Sequence, residues 1–250
     1  MNWWLADLSP REMGWKLIHR VAPNVRHLPR SRIRVCGACQ SLTVFVALGA
    51  DPEFHLCIRC RANQRYELLA RHLRATFPDI RQLDILELDD RSPLRRYLVE
   101  AHTYARSYYR DNISPGEKRP DGVVCQDITR LTYPDASLDL IVSSDVLEHV
   151  PDVSAAFRET ARVLRPGGAH LFTVPPRPVT KQRAKLESGR VIHLTEPDYH
   201  RDPLNPAGVL AFWDFGPDFP AKFGAEGLTI RAGLAPYGMS GRVVWEARRT

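Results

Sequence analysis

From Leu138 to Pro175 the hydrophobic and polar positions change rhythm three times, and each change marks an element. Leu138, Leu140, Ile141 and Val142 form a short apolar run, as in a strand buried on both faces. Polar Ser143, Ser144 and Asp145 close it. Val153, Ala156, Phe157, Thr160, Ala161 and Leu164 then recur at three-four spacing. That spacing predicts an amphipathic helix, with Arg158, Arg162 and Arg165 turned to water. Asp152 or Ser154 supplies its cap. Pro166-Gly167-Gly168 is expected to end the helix, because proline cannot continue it and glycine accepts a left-handed turn. Leu171, Phe172 and Val174 open the next strand. Strand, crossover helix and strand imply a parallel sheet.

The same reading extends along the chain. Ser9-Pro10-Arg11-Glu12 has the form of a helix start, with Met13, Leu17, Ile18 and Val21 as a stripe and Trp3, Trp4 and Trp15 nearby. Residues 1–30 therefore read as an arm, packed on its own domain or docking a partner or membrane surface. Asn63 to Phe77 predicts a helix with Tyr66, Leu69, Ala70, Leu73 and Phe77 on one face. Strands are expected at 82–88, 101–109, 123–127, 228–231 and 242–247. Residues 176–217 hold too many prolines and aromatics for a simple connector and read as an insert.

The cysteines change the picture of the first third. Cys36-Gly-Ala-Cys39 and Cys57-Ile-Arg-Cys60 are two pairs two residues apart, separated by residues 40–56. Such pairs complete a tetrahedron around one ion, and four thiolates suit zinc. A set of four leaves no open coordination position, which favours a structural ion over a catalytic one. Disulfide pairing is the alternative, though nothing points to secretion. Leu42, Val44, Val46 and Leu48 alternate as a ribbon strand would. The organisation expected is an arm (1–30), a ribbon (31–62) and a main domain (63–250) carrying the insert. Cys125 reads as a small buried residue.

The 250 residues carry a formal net charge of +6. Residues 1–80 hold twelve Lys or Arg against six Asp or Glu, so the whole excess lies there. It is either a nucleic-acid contact or a solvated basic face; no aromatic-plus-basic ladder for single strands accompanies it, and nucleic acid is not expected. No apolar run is long enough to span a membrane and no signal segment opens the chain, so a cytoplasmic protein is expected.

The run Tyr133-Pro134-Asp135-Ala136-Ser137-Leu138-Asp139, then Val146-Leu147-Glu148-His149-Val150, then Arg162-Val163-Leu164-Arg165-Pro166-Gly167-Gly168 resembles the signature of class I methyltransferases that use S-adenosylmethionine. Cys60 to Arg65 resembles a zinc-ribbon subgroup of the bacterial enzymes. The resemblance implies an α/β fold: a Rossmann-like, mostly parallel seven-stranded sheet with an antiparallel C-terminal hairpin, preceded by a small zinc ribbon. It implies S-adenosylmethionine as cofactor, held by Glu87, Asp127, Ile128, Ser144 and Asp145. Asp127 sits where the family's acid meets the adenine amine; its bland reading is a loop cap. Two features depart from the family. Asp89-Asp90-Arg91-Ser92-Pro93 holds no glycine where the family has a glycine-rich turn, and Ser107-Tyr108-Tyr109 holds no acid for the ribose hydroxyls. His149 and His200 are the candidate bases, each with a structural alternative. Tyr199 and Asp202 are candidate substrate contacts in the insert. The expected activity is methyl transfer to a small molecule or sugar-bearing metabolite; the other reading is a zinc-ribbon scaffold, or an RNA-binding or RNA-modifying protein on the same fold.

Overall fold

A computed structural model describes residues 21–202, 205–223, 227–234 and 242–250. The side chains of 201–206 are outside that description, as is the helix expected after Ser9. Ahead of the main sheet, β1 (Arg32–Val35), β2 (Leu42–Ala47) and β3 (His55–Cys57) pair antiparallel in that order. The alternation in β2 is real, but its buried face is the opposite of the one the aliphatic residues suggest. Thr43, Phe45 and Ala47 point inward, and Leu42 is 71% exposed. A strand presents successive side chains to opposite faces, and here Phe45 decides which face is inside.

Helix α1 (Gln64–Thr76) starts at Asn63, whose side chain accepts from the Tyr66 N–H. It buries Leu68, Leu69, Ala70 and Leu73. Glu67 is buried too, for a polar reason. It accepts two bonds from Arg34 at 2.7 and 2.5 Å and one from the Gly37 N–H at 2.8 Å. Arg74 donates to the carbonyls of Gly37 and Ala38 at 2.6 and 2.7 Å. The helix thus grips the loop between Cys36 and Cys39. Cys36, Phe45, Cys57, the α1 leucines and Ile85, Leu140 and Leu171 of the main sheet form one apolar cluster.

The main sheet is built from β4 (Asp84–Glu87), β5 (Thr103–Tyr108), β6 (Val124–Cys125), β7 (Leu138–Ser144), β8 (Leu164–Thr173), β15 (Leu228–Ala232) and β16 (Trp245–Arg249). Its spatial order is β15-β16-β8-β7-β4-β5-β6. Strands β4 to β8 run parallel, and β16 is antiparallel to both β8 and β15. The expected mostly parallel sheet with a terminal hairpin is present. A short helix, α2 (Arg95–Leu98), lies between β4 and β5, and α3 (Val153–Val163) crosses from β7 to β8. Asp152 caps α3, accepting from the Ala155 N–H at 2.8 Å.

The end of α3 differs from expectation. The helix stops at Val163, and Pro166-Gly167-Gly168 falls within the span of β8, where Gly167 takes the expected left-handed conformation at φ +81°. A Cβ at Gly168 would come within 2.9 Å of the carbonyl oxygens of Asp139 and Arg165. Gly168 is therefore there for close approach of two strands at the register irregularity between β7 and β8.

Residues 181–214 fold into β9 (Lys181–Gln182), β10 (Ala184–Glu187), β11 (Arg190–His193), β12 (Tyr199–Asp202), β13 (Asn205–Leu210) and β14 (Trp213–Asp214). They pair as three small antiparallel ribbons, β9 with β14, β10 with β11 and β12 with β13. The insert is fastened to the segment after β7. Phe212 donates its N–H to the Glu148 carbonyl at 2.7 Å, and the Trp213 indole donates to the Pro151 carbonyl at 3.2 Å. Helix α4 (Phe219–Phe223) follows, and Phe219 stacks on Phe157, Phe172, Phe223 and Trp245.

Candidate functional site

Strand order reverses at β4, which has β5 on one side and β7 on the other. In open parallel sheets ligands bind beyond the carboxyl ends of strands at such a switch point. A cavity of about 580 Å³ opens there, lined among others by Leu88, Asp89, Asp90, Ser107, Tyr108 and Arg119. Its size is that of a small-molecule site.

The acids around it are held in different ways. Glu87 at the end of β4 is 1% exposed and accepts from the Tyr104 hydroxyl. Burial, then the nearby Asp89 charge, pushes its carboxyl up to about 8. Asp89 accepts from the Tyr66 hydroxyl and, at 2.7 Å, from the Arg91 N–H. These bonds shape the turn that glycine shapes elsewhere, and α1 supplies one of them. Asp90 pairs with Arg119 at 2.8 Å, and the Arg119 guanidinium lies 4.6 Å from the Tyr108 ring centroid.

Asp127 accepts through Oδ1 from both the N–H and the hydroxyl of Thr129, at 2.8 and 2.7 Å. It caps its own loop. Ile128 is 6% exposed in the core. Ser144 lies 3.3 Å from the Thr173 hydroxyl.

Asp145 adopts φ +53° and sits in a buried ion network. Arg65 approaches it at 2.6 Å and Arg242 at 3.1 Å, and Thr173 donates to it at 3.0 Å. The same two arginines reach Glu53 of the ribbon, at 3.1 and 3.2 Å. Burial raises the Asp145 carboxyl, but the two guanidiniums outweigh it and hold it below its ordinary value. Sequence reasoning placed Asp145 at the site; Glu53 and Arg242 carried no local signal and were missed.

His149 and His200, 51 positions apart in the sequence, are brought together with ring centroids 4.9 Å apart. His149 Nδ1 lies 2.9 Å from the Leu210 carbonyl, so that nitrogen carries the proton and Nε2 is left as a lone pair. Burial pushes both rings below the usual histidine value, so both are neutral near pH 7. Between them lies the carboxylate of Glu148, 1% exposed. Tyr199 is 53% exposed at the rim of the insert, and the Asp202 side chain lies outside the described residues.

In the ribbon, Cys36 and Cys60 sulfurs are 3.6 Å apart and those of Cys39 and Cys57 are 3.9 Å apart. All four lie within 4.8 Å of one another. Zn–S bonds of about 2.3 Å in a tetrahedron put sulfurs about 3.8 Å apart. The separations fit that ion and are far too long for a disulfide.

Residues 83–172 match the methyltransferase domain family. A ubiquinone/menaquinone biosynthesis C-methyltransferase of Caulobacter vibrioides is 48% identical over 59 residues, 24% of this chain and 23% of that protein. The 27-O-demethylrifamycin SV methyltransferase of Amycolatopsis mediterranei is 33% identical over 90 residues, 33% of each chain. A solved S-adenosylmethionine-dependent methyltransferase from Mesorhizobium loti has a TM-score of 0.45 at 20% identity, covering 71% of this chain and 95% of that one. The chain thus spans a quarter to a third of the length of these curated relatives. Among the described residues no helix is long and apolar enough to cross a membrane. The motif run of 133–168, set on β7, α3 and β8 of a sheet in this order, is that of a class I S-adenosylmethionine-dependent methyltransferase domain.

Proposed function

We propose that the protein transfers a methyl group from S-adenosylmethionine to a small molecule, with one structural zinc in its ribbon. The observation that carries the reading is the cavity at the switch point of a domain whose motifs match the family. The relatives named above act on small molecules by their names, which supports that substrate class here.

When bound, S-adenosylmethionine supplies a sulfonium methyl group and its own leaving group, so the protein's work is mostly orientation. Asp90 lines the cavity and takes the place of the ribose acid that 107–109 lack. Tyr108, which lines the cavity, offers a ring face to the adenine, and Asp127 and Ser144 are the further cofactor contacts proposed. Asp145 is spent on Arg65 and Arg242, so its part is to fix the loop after β7. With no ion bound there, His149 Nε2 is a lone pair suited to removing a proton from a hydroxyl acceptor, with His200 beside it. Cys36, Cys39, Cys57 and Cys60 hold the zinc, whose four thiolates stay reduced in a cytoplasmic setting. Arms, ribbon and main domain follow the boundaries 30, 62 and 63.

Calorimetry on the zinc-loaded protein with S-adenosylmethionine and S-adenosylhomocysteine tests the reading. Binding of both is expected. Absence of heat at millimolar cofactor overturns it in favour of a scaffold.

A further inference from the structure

The Glu148 carboxylate is an anomaly that the cofactor site does not use. Both of its oxygens are buried and neither has a hydrogen-bond partner among the described residues. A buried carboxyl is normally hydrogen-bonded when neutral, and paired or bound to a metal when charged. Two nitrogens face it. His149 Nε2 and His200 Nδ1 each lie 3.7 Å from the same oxygen, Oε1. That is too long for a hydrogen bond. It is close to the separation of roughly 3.4 Å expected between ligands about 2.1 Å from one tetrahedral ion.

Of the far nitrogens, one is hydrogen-bonded and the other lies near a carboxylate without bonding to it. His149 Nδ1 is held by the Leu210 carbonyl at 2.9 Å, and His200 Nε2 faces the Asp198 carboxylate at 3.9 Å. Metal-bound histidines characteristically present their second nitrogen to a carbonyl or carboxylate, which fixes the ring and raises its basicity. Three ligand atoms, within 4.8 Å of one another, thus converge from the turn after β7 and from β12 of the insert.

We propose that Glu148, His149 and His200 form a second metal site, separate from the four cysteines, that takes a divalent first-row transition metal. Two imidazoles and one carboxylate suit zinc, iron, cobalt or manganese and leave coordination positions open. The ribbon's thiolates, by contrast, close its ion off. An open position would draw an oxygen donor, water or a hydroxylated acceptor; that last point rests on the methyltransferase reading, and the metal site does not. The insert contributes one ligand, so the cation would also fasten β12 to the main domain.

Protein whose ribbon is filled with one equivalent of zinc is titrated with Mn²⁺ and with Co²⁺, without cofactor, by calorimetry and by cobalt absorption. One further equivalent is expected, with d–d bands and no thiolate-to-cobalt charge transfer. His200→Ala should weaken it by at least about tenfold, and Glu148→Gln, which keeps the shape, should do the same while the circular dichroism is unchanged. His200→Ala lies on an insert strand, so it keeps the test valid if the Glu148 variant misfolds. Failure to take any ion beyond the ribbon's, or uptake unaffected by His200→Ala, overturns the site. Loss of cofactor binding with metal uptake intact would overturn only the methyltransferase reading.

Discussion

Arg65 and Asp145 meet at 2.6 Å although 80 positions separate them in the sequence. One stands on the helix that follows the last of the four clustered cysteines, and the other in the loop that closes β7. Glu53 and Arg242 complete the network, so ribbon, helix and sheet share one set of charges.

Removing one cation from that set leaves two buried carboxylates sharing a single guanidinium. Arg65→Ala is expected to cost about 3 kcal/mol in urea denaturation, the low end of the range because the Arg65 side chain is 25% exposed. Arg65→Lys should recover only part, since one ammonium does not reach both acids as a planar fork does. A loss below about 0.5 kcal/mol would show that the network is a surface-like pair.

Zinc removal should not be a local event. Taken from the sequence, the ribbon is a module of its own at 31–62. In the structure Cys36, Cys57 and Cys60 belong to the same apolar cluster as Leu69, Leu140 and Leu171. Chelation or Cys57→Ser should therefore lower the midpoint of the whole domain, read from the fluorescence of Trp213 and Trp245 in a single transition. Two separated transitions would contradict the shared core.

Glu87 makes stability depend on pH. Its folded value of about 8 lies above the ordinary 4.5, so the folded state binds the proton more tightly. The stabilisation is full below about pH 4.5 and is lost as pH rises towards 8. His170 works oppositely. Burial lowers it to about 3, so its contribution is lost as pH falls from 6.5. Glu87→Gln should stabilise the protein relative to wild type increasingly between pH 6 and 8, in denaturation midpoints at a series of pH values. A difference that stays flat over that range would rule the assignment out.

Asp90→Asn should weaken S-adenosylmethionine by roughly five- to tenfold, the loss of about one hydrogen bond to a ribose hydroxyl. Asp127→Ala should weaken it several-fold as well, and Thr129→Val separates that effect from loss of the Asp127 loop cap. Calorimetry on the three variants decides. Unchanged affinity in Asp90→Asn would move the ribose contact elsewhere.

The sheet, α1 and α3 were legible because their signals are local: apolar runs, three-four spacing and a cap such as Asp152. The cysteine pairs were legible for the same reason. What was not legible depends on distance. The facing of β2 follows from Phe45 packing under α1, which periodicity alone cannot choose between faces. The Pro166-Gly167-Gly168 stretch reads locally as a helix stop, yet Gly168 serves the approach of β8 to β7. Glu53 and Arg242 became functional candidates only when the fold placed them beside Asp145. Glu148 was visible in the motif, but its lack of partners is a property of burial.

The two groups of polar contacts differ sharply in the length of chain they close. Cys36 and Cys60 are 24 positions apart, whereas Asp145 waits for Arg65 at 80 and Arg242 at 97. Closing long loops before their contacts form is entropically costly and slow. The ribbon is thus placed to form early, and the loop after β7 sets last, after the C-terminal strand has docked. Pulse-labelled hydrogen exchange during refolding should protect the amides of β2 and β3 before that of Asp145; the reverse order would sink this sequence of events.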